Sequence, residues 1–454
     1  MRTGRPGQPP TFEEMISVEI DRRRLLGASA LGVGAGAAGA GLGFLTGRQQ
    51  PAATAQPQPD TSGLNGAQIE PFYGAHQSGV ETIPQAHAMF VSLTCKDDTD
   101  VTRLIRVLKL LTDDAALMTQ GQSPLADTEP ELNERPARLT VTFGFGRGLV
   151  ELAGSQHVPG WLGPLPAFGI DRLEDRLCRG DLLLQVCGDD PFTIAHAVRM
   201  LLKDARAFMD VAWSRSSFRR SYGSDPQGTT TRNLFGQVDG TANPGPGSED
   251  FARLVWGKTL GQASPVFSAR GEPPLDLAAD YPEWLRGGTS LVLRDIDMNL
   301  ATWDEADRPA REFSIGRDLK KGAPMTGTEE HDIPDLEATD DKGFTIISPA
   351  SHVARSRNNA APEQQIFRRV YNYHSVPDAA DAATGPTGSA IVGKAGLMFA
   401  SYQASVERQF LPIQKRLDEV DLLNQWTAPI GSTVWAIPPG AAEGEYIGQA
   451  LFES

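Results

Sequence analysis

GQVDGTANP, residues 236–244, sets the carboxylate of Asp239 in a turn between Gly236 and Gly240. Glycine accepts backbone conformations closed to other residues and lets the chain approach a bulky ligand closely. A side chain on such a turn is easily aimed into a cavity. The same GQVDG run also reads as a plain surface turn, because Asp-Gly is a common turn dipeptide. Two later stretches add weight to the first reading: SHVARSRN at 351–358 and QIFRRVYNY at 365–373. Together the three supply an acid, an imidazole and a guanidinium in a fixed order.

That trio resembles the dye-decolourising peroxidases, which carry an Asp and an Arg over one face of haem and a His beneath the other. The likeness runs on through PFYGAHQSGVET (71–82), AMFVSL (88–93), LTVTFGFGRGL (139–149) and GDLLLQVCGDDPFTIAHAVRML (180–201). MFASYQ (398–403) and FLPIQKRL (410–417) extend it, so that it covers roughly residues 70–440. These segments look like the exported, deferrochelatase/peroxidase-like branch of that family. The resemblance implies a non-covalent haem b peroxidase that reduces hydrogen peroxide and oxidises bulky phenols or dyes by one-electron steps. Two other functions remain open beside it. One is a deferrochelatase, which takes iron from haem in an iron-uptake system and leaves the porphyrin intact. The other is a non-catalytic haem carrier, against which an acid and a guanidinium over the iron both count. No residue separates peroxidase from deferrochelatase.

The resemblance also assigns residues. Of the seven histidines, His352 matches the proximal iron ligand. It follows Phe344-Thr345-Ile346-Ile347-Ser348, whose alternation reads as a strand. His76 is expected to cover the haem pocket, and His196 and His331 are read as a helix residue and an acidic-loop residue. Family members commonly continue His-Ile-Arg, whereas this chain has His352-Val353-Ala354-Arg355. The displaced Arg355 is the expected propionate partner. A proximal imidazole usually donates its second N–H to a carboxylate. Asp421, in DEVDLL, fits that role, with a solvated helix-end residue as the alternative. Peroxide cleavage needs a proton moved between oxygens and charge stabilised as the O–O bond breaks. Asp239 suits the first task and Arg368 the second, with Gly240 and Thr241 forming the haem-side turn. Arg369 points to the opposite face of the same strand and reads as an ordinary ion-pair residue.

The ends and the composition bound the rest. Arg22-Arg23-Arg24 precedes the Gly/Ala-rich run ASALGVGAGAAGAGLGFLTG, which ends at Gly47 and resembles a twin-arginine export signal. A membrane anchor is the competing reading, but the run is poor in Leu, Ile and Phe, and Ala53-Thr54-Ala55 follows. Cleavage is expected near Ala55–Gln56, and passage through the twin-arginine translocase would place the protein in the periplasm or outside the cell. That route moves folded chains, which suits a protein that acquires its cofactor first. Removing residues 1–55 leaves 36 basic and 53 acidic residues, a net charge of −17. Such a balance disfavours nucleic acid and anionic membrane surfaces as partners. Cys95, Cys178 and Cys187 are too few for a disulfide scaffold. Without a Cys-x-x-Cys-His motif, covalent c-type haem is not expected.

The expected organisation is a signal over 1–55, a flexible linker over 56–69, an N-terminal half over 70–240 and a C-terminal, haem-binding half over 241–454. Strands alternating with helices twice over imply an α+β class with two halves around antiparallel sheets. The resemblance sharpens these to ferredoxin-like halves with haem in the C-terminal one, and a homo-oligomer stays open. Strands are expected at 89–93, around 139–143, and at 182–187, 290–293 and 397–400. Asp98 or Thr99 should cap a helix carrying Leu104, Leu108 and Leu111 on one stripe. Asp190-Pro191 should start a second. Pro412 should bend the helix of Val406, Phe410, Ile413 and Leu417 or begin a new turn. Residues 121–137, 304–341 and 376–395 read as surface insertions.

Overall fold

A computed structural model describes residues 63–226, 228–258, 276–375 and 393–453. The signal segment, residues 56–62 of the linker and residues 376–392 of the last expected insertion lie outside these residues. The first half runs β1 (His87–Cys95), α1 (Val101–Thr119), β2 (Thr140–Phe145), β3 (Leu182–Gly188), α2 (Pro191–Ala205) and β4 (Met209–Phe218). The second half contributes β5 (Thr289–Met298), β6 (Phe367–Ser375), β7 (Lys394–Gln403) and β8 (Thr427–Ile437). Its sheet order, β8-β5-β7-β6, repeats the β4-β1-β3-β2 order of the first, and all neighbours are antiparallel. Two ferredoxin-like halves therefore stand side by side. They close into one barrel through two narrow seams, Phe145↔Ala436 and Phe218↔Asn372.

Closure explains why some strands are apolar on both faces. In β3, Leu182, Leu184 and Val186 lie under α1 and α2, while Leu183 and Cys187 point into the barrel. A sheet covered on both sides gives continuous hydrophobic runs rather than alternation. The helices start where polar side chains can take up their first free N–H groups. Asp100, rather than Asp98 or Thr99, caps α1 by accepting from the Arg103 N–H at 2.8 Å. Asp190 caps α2, with Pro191 in the first turn, where its missing N–H costs nothing.

The second half departs from its template between β5 and β6. There a single crossing helix is replaced by a long excursion carrying α3 (Leu300–Glu305), α4 (Arg308–Ile315) and α5 (His352–Ser356). After β7, one π-helical turn, Val406–Phe410, leads into α6 (Leu411–Val420). Pro412 thus falls in a first turn, where the ring is tolerated.

Three sequence expectations change here. Phe344–Ser348 is not a strand: Phe344 and Ile346 are 70% and 39% exposed, so their alternation marks no buried face. His352 instead opens α5, with Ser351 as its cap. Residues 304–341 are no mere surface insertion, because they carry α4 and reach the central cavity through Arg317 and Pro334. Residues 121–137 are likewise anchored, since buried Asp127 accepts from His196 Nε2 at 3.0 Å.

Candidate active site

Asp239 sits at the end of a small hairpin-like turn. Its own N–H donates to the Thr231 carbonyl (2.8 Å), and the Asn233 N–H donates to the Gln237 carbonyl (3.1 Å). Gly236 and Gly240 take φ values of 81° and 126°, a region that side chains disfavour. The buried Asn233 fixes the turn from inside. Its Oδ1 accepts from the Phe235 and Gln237 N–H groups, and its Nδ2 lies 3.4 Å from Asp239 Oδ2.

Arg368 projects from β6 so that Nη1 comes within 3.0 Å of Asp239 Oδ1. The N–H is not aligned on that oxygen, which has no hydrogen bond among the described residues. The contact is therefore an ion pair with acceptor capacity to spare. The Asn243 amide binds both the N–H and the carbonyl of Arg368.

His352 presents Nδ1 to Asp421 Oδ2 at 2.6 Å. A carboxylate can only accept, so Nδ1 carries the hydrogen and Nε2 is the nitrogen left for a ligand. Asp421 is buried at the end of α6, and its other oxygen accepts from the Leu423 N–H at 3.0 Å. Burial opposes charging the imidazole, yet the Asp421 charge and hydrogen bond outweigh it and raise the pKa of His352.

Asp239, Thr241, His352 and Arg368 line one cavity of about 450 Å³. That size suits an organic cofactor or a comparable ligand. Its apolar surface comes from Ile315, Ile366, Phe399, Ile413 and Leu417, and its cations from Arg253, Arg317, Arg357 and Arg368. Burial lowers the pKa of Arg317, and the nearby Arg357 charge adds to the effect, marking a cationic corner suited to carboxylates. An imidazole backed by a carboxylate, an apolar slot and that corner fit an iron porphyrin with its propionates. A second, more open hollow of about 530 Å³ shares Pro334, Arg357, Asn358 and Asn359 with the first.

The structure thus brings Asp239, Thr241, His352 and Arg368 together, with Gly240 shaping the turn and Asp421 behind the imidazole. Arg355 is not brought to the cavity: its Nε donates to the Arg416 carbonyl at 2.9 Å and its guanidinium pairs with Glu419. Arg317 and Arg357 line the cavity instead, and nothing in the sequence set them apart from other arginines. His76 does not cover the cavity either. It hydrogen-bonds to the Gly287 carbonyl at 2.7 Å and stacks on Trp256. Arg369 does face away from Arg368, into the barrel, but it is no ion-pair residue. Among the described residues it binds the Thr82 carbonyl and Gln85 Oε1 instead.

Comparison with known proteins shows the family. The chain matches the models "Dyp-type peroxidase, N-terminal" over residues 77–219 and "Dyp-type peroxidase, C-terminal" over 230–442. It is 31% identical to the deferrochelatase of Escherichia coli strain UTI89 over 400 residues, covering 84% of this chain and 87% of that protein. Among solved structures it is similar to a DyP-type peroxidase from Cellulomonas bogoriensis, at 45% identity and a TM-score of 0.76. That match covers 86% of this chain and 99% of the other. Ferric DtpA from Streptomyces lividans follows at 34% identity and a TM-score of 0.75, with coverages of 87% and 100%.

Proposed function

This chain belongs to the Dyp-type peroxidase family, and we propose that Asp239 and Arg368 are the pair with which it works on hydrogen peroxide. The enzyme is a haem b peroxidase that reduces hydrogen peroxide and oxidises bulky phenolic or dye-like molecules one electron at a time. Haem, when bound, supplies the iron that takes up peroxide and holds its oxidising power. The remaining tasks fall to side chains. Nε2 of His352 would hold the iron, while Asp421 would fix the ring and make it a stronger electron donor. Arg317 and Arg357, which line the cavity, would meet the propionates. Asp239 accepts a proton from one peroxide oxygen and returns it to the other. Arg368 stabilises the negative charge that grows as the O–O bond breaks.

The observation that carries this reading is the 3.0 Å contact between Arg368 Nη1 and Asp239 Oδ1 in a cavity that His352 also lines. A haem carrier needs no such pair. Asp239→Asn should keep haem and react with peroxide about a hundred- to ten-thousand-fold more slowly in stopped-flow mixing. Arg368→Leu should lose about a hundred- to a thousand-fold. Parent rates in both variants would mean that the pair is not catalytic.

Relatives named deferrochelatase, at 31% identity, support a second use of the same cavity, with haem as substrate. Incubating the protein with haem and recording porphyrin fluorescence separates the two. Iron-free porphyrin supports iron release, and its absence beside peroxide turnover leaves peroxidase alone. We further propose that Arg22-Arg23 directs the folded enzyme through the twin-arginine translocase to the periplasm or beyond.

A further inference from the structure

We infer that Asn243 and Asn372 are positioning residues, two side-chain amides that together set Asp239 against Arg368. The inference rests on the catalytic roles proposed for those two residues. Asp239 and Arg368 lie on separate pieces of chain, a loop and strand β6. Among the described residues, no backbone-to-backbone hydrogen bond joins residues 231–243 to β6. Side chains do the joining instead.

At one end, Asn243 Nδ2 donates to the Arg368 carbonyl at 2.7 Å, and the Arg368 N–H donates to Asn243 Oδ1 at 3.1 Å. At the other end the roles reverse. Asn372 Nδ2, from β6, donates to the Arg232 carbonyl at 3.1 Å, and the Leu234 N–H donates to Asn372 Oδ1 at 3.1 Å. Each primary amide offers one donor face and one acceptor face, the same pair that a neighbouring strand residue would present. The loop lends an amide to the strand and the strand lends one to the loop. Gln365 adds a third tie, from Nε2 to the Ala242 carbonyl at 2.6 Å.

Neither asparagine is among the residues that line the cavity. What they control is placement. Buried Asn372 fixes the start of the turn and Asn243 its far side, with Asp239 between them. The Asp239–Arg368 contact is an unaligned ion pair, which by itself imposes little geometry. A displacement of about 1 Å in such a constellation costs on the order of a hundredfold in rate.

The test uses the haem-loaded enzyme. Asn243→Ala and Asn372→Ala should keep haem and melting behaviour close to the parent, yet react with hydrogen peroxide about ten- to a hundredfold more slowly. Fluoride affinity of the ferric protein, an equilibrium that depends on a charged donor beside the bound anion, should weaken in parallel. In a background already carrying Asp239→Asn and Arg368→Leu, Asn243→Ala should change the rate by less than about twofold, because its effect runs through those groups. An equal loss in both backgrounds, or parent rates in both asparagine variants while Asp239→Asn is slow, overturns the inference. Parent rates in Asp239→Asn and Arg368→Leu would instead overturn the catalytic pair itself. If Asn243→Ala fails to fold with haem, Asn243→Asp, which keeps the size and the acceptor but loses the donor, is read in the same way.

Discussion

Asp421 accepts a hydrogen bond from His352 at 2.6 Å, so a carboxylate buried at the end of α6 orients the imidazole that opens α5. The two residues are far apart in sequence and meet because α5 lies on α6. His352→Ala should therefore lose most haem affinity, seen as a weak visible spectrum after haem titration. Asp421→Asn should retain haem with affinity lowered about ten- to a hundredfold. With a less electron-rich imidazole, its midpoint potential should rise in a spectroelectrochemical titration. An unchanged potential would show that Asp421 only packs.

Asp114, on α1, has its pKa pushed up to about 8 by burial, a hydrogen bond shared with Asp204 and neighbouring acidic charges. The folded chain thus keeps a proton that the unfolded chain releases near its ordinary value of 3.8. The associated stability is full below the ordinary value and drains away as pH rises towards about 8. Asp114→Asn cannot ionise. Its melting temperature should fall less than the parent's when both are scanned from acid to mildly alkaline buffer. Parallel curves would rule the linkage out.

Gly240 holds φ at 126°, and a Cβ there would lie 3.5 Å from Asn243 Nδ2. Gly240→Ala should cost about 1–3 kcal/mol of local strain. Relief of that strain would turn Asp239 away from Arg368. The expected outcome is normal haem content with slowed peroxide reaction, read by stopped-flow absorbance. A parent rate would show that the turn absorbs the methyl group.

Replacing Arg22 and Arg23 with Lys should leave an uncleaved precursor in the cytoplasm, detected by fractionation and N-terminal sequencing. An intact N-terminus on membrane-embedded, exported protein would mark the segment as an anchor.

Much of the site was legible because its chemistry needs particular residue types on particular turns. Asp239, His352 and Arg368 stand out as an acid, an imidazole and a guanidinium within distinctive stretches. Asp421 was legible more faintly, through the rule that a metal-bound imidazole seeks a carboxylate. Other features left little local trace. Arg317 and Arg357 reach the cavity only because the excursion between β5 and β6 folds back, and two arginines among many carry no mark of that. Phe344–Ser348 misled for the opposite reason: its alternation was real, but the apolar face is exposed. Asn243 lay in plain view within GQVDGTANP. Its role depends on a side chain imitating backbone, and no periodicity records such mimicry. Arg369 showed its direction but not its partners, since the barrel interior supplies a carbonyl and an amide where an acid was expected.

The asparagine ties have a further consequence, for solubility. Along one edge β6 pairs fully with β7, but along the other it meets β4 only at Phe218↔Asn372. A bare strand edge is a template on which a second chain can polymerise. Here Asn243 already occupies the Arg368 N–H and carbonyl, and an irregular turn offers no continuing ladder to extend. The same amides that aim the acid also blunt the edge. Loosening them should therefore raise the chain's tendency to self-associate while it folds, beside the slowed chemistry of the folded enzyme.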